Sequence, residues 1–256
     1  MTSTDVVEPA VAAEWLRRWD AQQEHYIADR ELRFTVIGDV LADTLGQHSS
    51  PTVLDLGCGP GSLASRLAQR LPAAHFVGID TDPLLLAFAR ATAPAAVRFA
   101  EARLGVPGWI EAAEVSGPIQ AAVSTTALHW LSREALGQLY RDLAALIEPG
   151  GVFVDGDHFA EEQPRLRELQ RLVRHQREAR QGVTANENWE QWWAAVEAEE
   201  TFSDLLVQRR ERAVPAHDHG IGPTVETHLD LLQEAGFREV GTVWQSGDDR
   251  VLVAVR

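Results

Sequence analysis

With 256 residues, 45% of them hydrophobic, the chain has the size and composition of one α/β domain carrying an added segment. Its formal net charge is −15, from 23 basic and 38 acidic residues, which repels phosphate backbones and anionic membrane surfaces and argues against nucleic acid as a substrate. All 23 basic residues are arginine, which excludes a Schiff-base lysine and a phosphate-loop lysine, and the single cysteine, Cys58, excludes an internal disulfide.

No run of 18 apolar residues and no signal-peptide pattern is present, so the expectation is a soluble, cytoplasmic protein that avoids membranes. Residues 9–46 read as two helices. The first carries Trp15, Leu16 and Trp19; the second carries Leu32, Val36, Val40 and Leu41. Tyr26 and Arg33 are expected either to reach a ligand or, for Arg33 with Arg30, to pair with Asp29 and Glu31 at the surface. Val53 and Leu54 end a buried strand, which runs into Gly57-Cys58-Gly59-Pro60-Gly61. Ser62 is the expected cap of a helix with Leu63, Leu67 and Leu71 at four-residue spacing. His75–Asp80 is a second strand, and Asp80, 23 residues after Gly57, is placed to accept ribose hydroxyls. A strand, a glycine turn and a helix N-terminus in this order bring backbone N–H groups close to a ligand. The turn misses the Gly-x-Gly-x-x-Gly nicotinamide fingerprint by one residue, because Ser62 stands at its third glycine.

Thr81-Asp82-Pro83 starts a further helix, with Leu84, Leu85 and Phe88 on its core face. Val97–Phe99 and Ile119–Ser124 are the next strands. Leu136, Tyr140, Leu143 and Ile147 form a helical stripe that ends at Pro149-Gly150-Gly151, and Val152–Asp155 is the fifth strand. Gly156-Asp157-His158 follows at its carboxyl end, so Asp157 and His158 are expected at a pocket. Glu161–Arg180 reads as an amphipathic helix with Leu166, Leu169, Leu172 and Val173 on one face and solvated charges on the rest. In residues 186–214, Trp189, Trp192 and Trp193 share a helix face, to wall a pocket or to anchor the segment. His217 and His219, at i and i+2, cannot share a helix face; the expectation is no metal, with either histidine free to line a substrate cavity. Pro223–Ala235 is the last helix, and Glu239–Trp244 with Arg250–Val255 is a terminal hairpin.

The turn preceded by Asp55 resembles motif I of the class I S-adenosylmethionine-dependent methyltransferases. Thr125-Thr126-Ala127-Leu128-His129-Trp130 resembles motif IV of their small-molecule branches, the trans-aconitate methyltransferase-like one above all, and Leu232 to Phe237 carries the family's Leu-x-x-Ala-Gly-Phe ending. The resemblance implies a Rossmann-like, seven-stranded, mostly parallel sheet with helices on both faces. Residues 1–46 would be an N-terminal helical cap, 47–158 the cofactor-binding core, 159–222 a helical substrate lid, and 223–256 the last helix and hairpin.

It also implies S-adenosyl-L-methionine as cofactor and S-adenosyl-L-homocysteine as product. The expected cofactor contacts are Asp55, Gly57, Cys58, Gly59, Gly61, Asp80, Thr81, Ala102, Arg103, Leu104 and Ser124. Arg103 stands where the family usually has an acidic residue for the adenine amino group, and Gln120 where it often has an Asp. His129 is the expected catalytic or substrate-binding group; Tyr26, Arg33, Trp130, His158, Trp189, Trp193, His217 and His219 are the expected acceptor contacts. The partner is a small-molecule acceptor, O-, N- or C-methylated, and the chain is a monomer or homodimer. The rival readings are an S-adenosylmethionine-binding protein without methyl transfer and a nicotinamide-dependent oxidoreductase.

Overall fold

The computed structural model describes residues 6–212 and 222–256. Two helices, α1 (Pro9–Glu24) and α2 (Arg30–Leu45), precede the first strand, β1 (Thr52–Leu56). The chain then alternates: α3 (Ser62–Arg70), β2 (His75–Asp80), α4 (Pro83–Thr92), β3 (Val97–Glu101), the single turn α5 (Trp109–Ala112), β4 (Ile119–Thr125), α6 (Arg133–Leu146) and β5 (Ile147–His158). Three helices follow, α7 (Pro164–Gln181), α8 (Trp189–Glu197) and α9 (Ser203–Glu211). The chain closes with α10 (Val225–Ala235), β6 (Glu239–Ser246) and β7 (Asp249–Val255).

The strands form one seven-stranded sheet in the order β3-β2-β1-β4-β5-β7-β6. β1 pairs in parallel with β2 and β4, β2 with β3, and β4 with β5; β7 is antiparallel to both β5 and β6. This is a mixed, Rossmann-like sheet, and the strand order reverses between the parallel neighbours β1 and β4, which opens a crevice at their carboxyl ends. Alternation along the central strands feeds two apolar layers. Leu54, Leu56, Phe153 and Tyr140 lie in the layer under α6 and α10; Val53, Val123, Val154 and Ile37 lie in the one under α2 and α3.

Six local expectations change. Ser62 is the first residue of α3, not its cap: Gly61 holds the cap position at φ 82°, and the Ser62 hydroxyl donates to Asp20 on α1 (2.7 Å). The fifth strand runs from Ile147 to His158, so Asp157 and His158 belong to it and gain its rigidity. The helix after it starts at Pro164 and ends at Gln181, and the last helix starts at Val225 behind Thr224, whose hydroxyl accepts the Thr227 N–H. Leu166, Leu169, Leu172 and Val173 of α7 face outward, 38–53% exposed, whereas Gln170 and Glu178 are the buried residues of that helix. The polar side of α7 is turned inward because it meets a charged set: Arg174 pairs with Asp248 (3.1 Å) and Glu178, and Arg177 pairs with Asp29. The expected surface pairs of Arg30 and Arg33 are likewise replaced, by Asp20 (2.8 Å) and Asp249 (2.5 Å).

The tryptophans settle how the 186–212 stretch attaches. Trp192 is fully buried and meets Trp15, Trp19, Phe88 and Trp193 edge-on, with ring centroids 5.0–6.4 Å apart. Together with Phe202 and Leu205 they form a third apolar cluster that ties α8 and α9 to α1 and α4.

Candidate active site

A cavity of about 610 Å³ lies at the carboxyl ends of β1, β2 and β4, roofed by α1, α7, α8 and α9. Its floor is the glycine turn. Gly57 takes φ 69°, and a Cβ there would stand 2.4 Å from the Ala127 Cβ, so only glycine lets the turn pass beneath residues 126–129. The Gly57 and Cys58 N–H groups donate to the Ile79 carbonyl (2.8 and 3.1 Å), which fixes the turn to β2. At Gly59 a Cβ would meet only Trp19 and Leu85 at ordinary contact distance, so the backbone faces open cavity.

Asp80 closes β2 on the cavity wall. Its Oδ1 accepts the Thr81 and Asp82 N–H groups (2.7 and 2.9 Å) and its Oδ2 accepts that of Gly59 (2.8 Å). Burial pushes its pKa to about 6, with Asp82 raising it further and the three N–H groups opposing. Oδ2, with one N–H bond, keeps acceptor capacity for a ligand hydroxyl. Asp55 lies beneath the turn. Its Oδ2 accepts the Ala64 N–H (3.1 Å), and burial lifts its pKa to about 7.

The opposite wall comes from the β4 end. Thr126 sits at φ 49°, a left-handed conformation that a β-branched residue rarely adopts, and it directs the chain into the turn of Leu128–Trp130. His129 there lines the cavity with its side chain 32% exposed. Its Nδ1 is 2.8 Å from Oδ2 of Asp157, whose Oδ1 accepts the His158 N–H (2.7 Å). Burial depresses the His129 pKa, but the charge and hydrogen bond of Asp157 outweigh it and the net shift is upward. Asp157 is itself buried, yet the same pairing, with Arg33 nearby, holds it down at about 2. His158 is pushed well below the usual imidazole range by burial and by Arg33 and Arg174, so it is neutral.

Of the residues marked in the sequence, Gly57, Cys58, Gly59, Asp80, Thr81, Ala102, Arg103, Leu104, Tyr26, His129, Trp130, His158, Trp189 and Trp193 all line this cavity. Tyr26 accepts the Trp189 N–H on its hydroxyl (3.2 Å), joining the α1–α2 connection to α8. Four others stand behind the wall. Gly61 packs under Phe99, where a Cβ would come within 3.0 Å. The buried Ser124 hydroxyl donates to the Leu56 carbonyl (2.9 Å), joining β4 to β1. Asp55 holds the start of α3 through the Ala64 N–H. Arg33 is fully buried and donates to Asp249, Thr125 and the Gly156 carbonyl, so it braces β4, β5 and β7 rather than meeting an acceptor. Gln120 lies at the other end of β4, where it accepts the Thr52 N–H. His217 and His219 lie outside the described residues. Among the described residues no cluster has the composition of a metal site.

Several wall residues escaped the sequence reading. Trp19, Arg30, Arg174, His175, Glu178 and Arg209 reach the cavity from α1, α2, α7 and α9. Arg209 donates to Asp82 (2.6 Å) and stacks on Trp193, its guanidinium 4.0 Å from the ring centroid. That pair spans 127 residues, and no local pattern marks it.

Residues 53–151 match the family model of a methyltransferase domain. Trans-aconitate 2-methyltransferase of Azoarcus sp. (strain BH72) is 34% identical over 134 residues, which cover 52% of this chain and 48% of that one. The enzyme of the same name from Escherichia coli (strain K12 / DH10B) is 37% identical over 103 residues, covering 39% of this chain and 36% of that one. The chain thus spans about half, or less, of the length of the curated relatives it matches. Among solved structures, magnesium protoporphyrin IX methyltransferase from Synechocystis PCC 6803 with bound SAH superposes with a TM-score of 0.55 at 16% identity, over 94% of each chain. Human N-acetylserotonin methyltransferase in complex with SAM gives 0.54 at 15% identity, over 92% of this chain and 56% of that one. At these identities the likeness is one of fold.

Proposed function

We propose, from the premise that residues 53–151 are a class I methyltransferase domain, that the chain binds S-adenosyl-L-methionine and moves its methyl group to a small-molecule acceptor. The observation that carries this reading is the opposition of two half-sites across one cavity: the glycine turn with Asp80 on one wall, the His129–Asp157 pair on the other.

The residues fit the cofactor. Gly59 leaves its backbone open to the cavity, Asp80 Oδ2 keeps an acceptor position for a ribose hydroxyl, and Ala102, Arg103 and Leu104 line the region beyond β3 where an adenine would lie. When bound, the sulfonium supplies both the methyl group and its own leaving group. The protein's task is to align the acceptor and exclude water. Trp189 and Trp193 from α8, with Tyr26, shape the acceptor side. The described parts of residues 1–46 and 159–222 act as cap and lid over the core of residues 47–158, and the acidic net charge supports an acceptor other than nucleic acid. No helix among the described residues is long and apolar enough to cross a membrane.

Calorimetric titration with S-adenosylmethionine, S-adenosylhomocysteine and NADH, on the wild type and Asp80→Ala, tests this reading. Binding of the first two, weakened at least tenfold in the variant, is the expected result. Binding of NADH alone would place the protein among oxidoreductases. Cofactor binding with no methyl transfer to any acceptor would leave a binding protein.

A further inference from the structure

The acceptor side of the cavity is specific enough to name a chemistry. Its aromatic wall comes from Tyr26, Trp130, Trp189 and Trp193, the last two with ring centroids 5.7 Å apart. Three of the four arginines lining the cavity are already matched by carboxylates of the chain, Arg30 by Asp20 (2.8 Å), Arg174 by Asp248 (3.1 Å) and Arg209 by Asp82 (2.6 Å); the fourth, Arg103, follows β3 in the region proposed for the adenine. A carboxylate acceptor would enter an acidic protein and find these cations engaged, with Glu178 on the wall beside them. Such an acceptor also needs no base, since it is already ionised near neutral pH.

The cavity nevertheless contains a base held in one orientation. Asp157 is 2% exposed, belongs to β5, stands opposite Arg250 of β7 in the sheet register, and has each carboxylate oxygen in a hydrogen bond, one to His129 Nδ1 and one to the His158 N–H. With Nδ1 taken, Nε2 is the nitrogen of His129 left for the cavity. An imidazole set in this way serves a group that must lose a proton as it reacts.

We propose that the acceptor is an aromatic molecule methylated on a hydroxyl, that His129 Nε2 takes the hydroxyl proton, and that Asp157 is the positioning residue that fixes His129 for this; the proposal rests on the cofactor reading above. The balance is simple. The hydroxyl oxygen forms a C–O bond with the methyl carbon while the C–S bond breaks, and its electron pair returns to sulfur as a neutral thioether. The proton passes to Nε2 and from there to solvent, and the resulting imidazolium is stabilised by Asp157.

The test has two readouts. The first is product formation with S-adenosylmethionine and two probe sets: catechol, 4-hydroxybenzaldehyde and 2-naphthol against benzoate, cinnamate and trans-aconitate. Methyl ethers from the first set and no esters from the second are expected. The kcat of His129→Asn should fall at least a hundredfold, consistent with loss of a general base. Asp157→Asn should lose about tenfold or more in kcat with KM little changed, and Asp157→Glu should recover part of the loss. The second readout needs no cofactor: the NMR titration of the His129 ring, assigned by its absence in His129→Asn. The groups facing that ring are Asp157 and His158 from β5, Arg33 from α2 and His228 from α10. The ring should titrate above 6.5 in the wild type, and about one unit or more lower in Asp157→Asn. Esters alone, no product from either set by a protein that binds S-adenosylmethionine, or an unchanged titration in Asp157→Asn would overturn the proposal. Failure to bind S-adenosylmethionine would overturn the cofactor reading instead, and the titration would still decide whether Asp157 tunes His129.

Discussion

The two walls of the cavity are made in different ways. The turn wall is built from backbone: glycine geometry, N–H groups on Asp80 and on the Ile79 carbonyl, and a strand register that spans few residues. The helices that roof the acceptor side are tied down by side-chain pairs far apart in the chain, such as Arg18 to Glu187, Arg177 to Asp29 and Arg209 to Asp82. Backbone devices tolerate few substitutions but need little support. Side-chain devices depend on partners 127–169 residues away, and each can be exchanged without touching the sheet.

The largest effect expected comes from removing the brace behind the acceptor wall. Arg33→Ala leaves Asp249 buried beside lost bonds to Thr125 and Gly156, and should cost about 3–5 kcal/mol by chemical denaturation. A loss under about 1 kcal/mol would show that the strand ends hold without it. Trp192→Ala opens the aromatic cluster and should cost a similar ~3–5 kcal/mol, while S-adenosylmethionine affinity drops less than in Asp80→Ala if the turn is self-supporting.

Next comes Asp55. Its folded pKa, about 7, lies above the ordinary carboxylate value of 3.8, so the folded state binds the extra proton and stability falls as pH rises through that window. Asp55→Asn should remove this slope, at about 1.4 kcal/mol per unit of the rise, measured as the difference in denaturation midpoints between acidic and neutral pH. An identical slope in the variant would assign the pH dependence to other carboxyls, such as Asp249, which burial raises to about 6.

Gly57→Ala places a Cβ against Ala127 and strains a positive φ, for about 1–3 kcal/mol and a loss of cofactor affinity that calorimetry would read. Smallest of all, Leu172→Ser on the outward face of α7 should change stability by less than about 0.5 kcal/mol.

The same division explains what could be read in advance. The central strands, the turn and Asp80 follow from short apolar runs and glycine spacing, which are local properties; β2 and β4 stand close to where the pattern puts them, whereas β5 is longer at both ends. Arg33 could not be placed from its neighbours, because its partners Thr125, Gly156 and Asp249 come from three other strands. Ser62 and Gly61 exchanged roles because α1 supplies Asp20 to the serine. The orientation of α7 was opposite to its apolar stripe: a helix normally buries such a face, but here the buried side carries the charges that meet Asp29 and Asp248. His129 was legible as a residue, whereas its dependence on Asp157 required the strand β5 to extend past Asp155.

The stretch between β5 and α10 is closed at its base by a parallel bridge that lies outside the seven strands, Ala160 to Thr224, with the Val225 N–H on the Ala160 carbonyl. Its two ends are therefore neighbours, and the sheet does not register how many residues lie between them. Such a stem is a socket. Over evolutionary time, loops of other lengths and linings can be seated in it while the strands and the glycine turn are inherited unaltered, so the scaffold can change the molecule it serves without relearning how to fold.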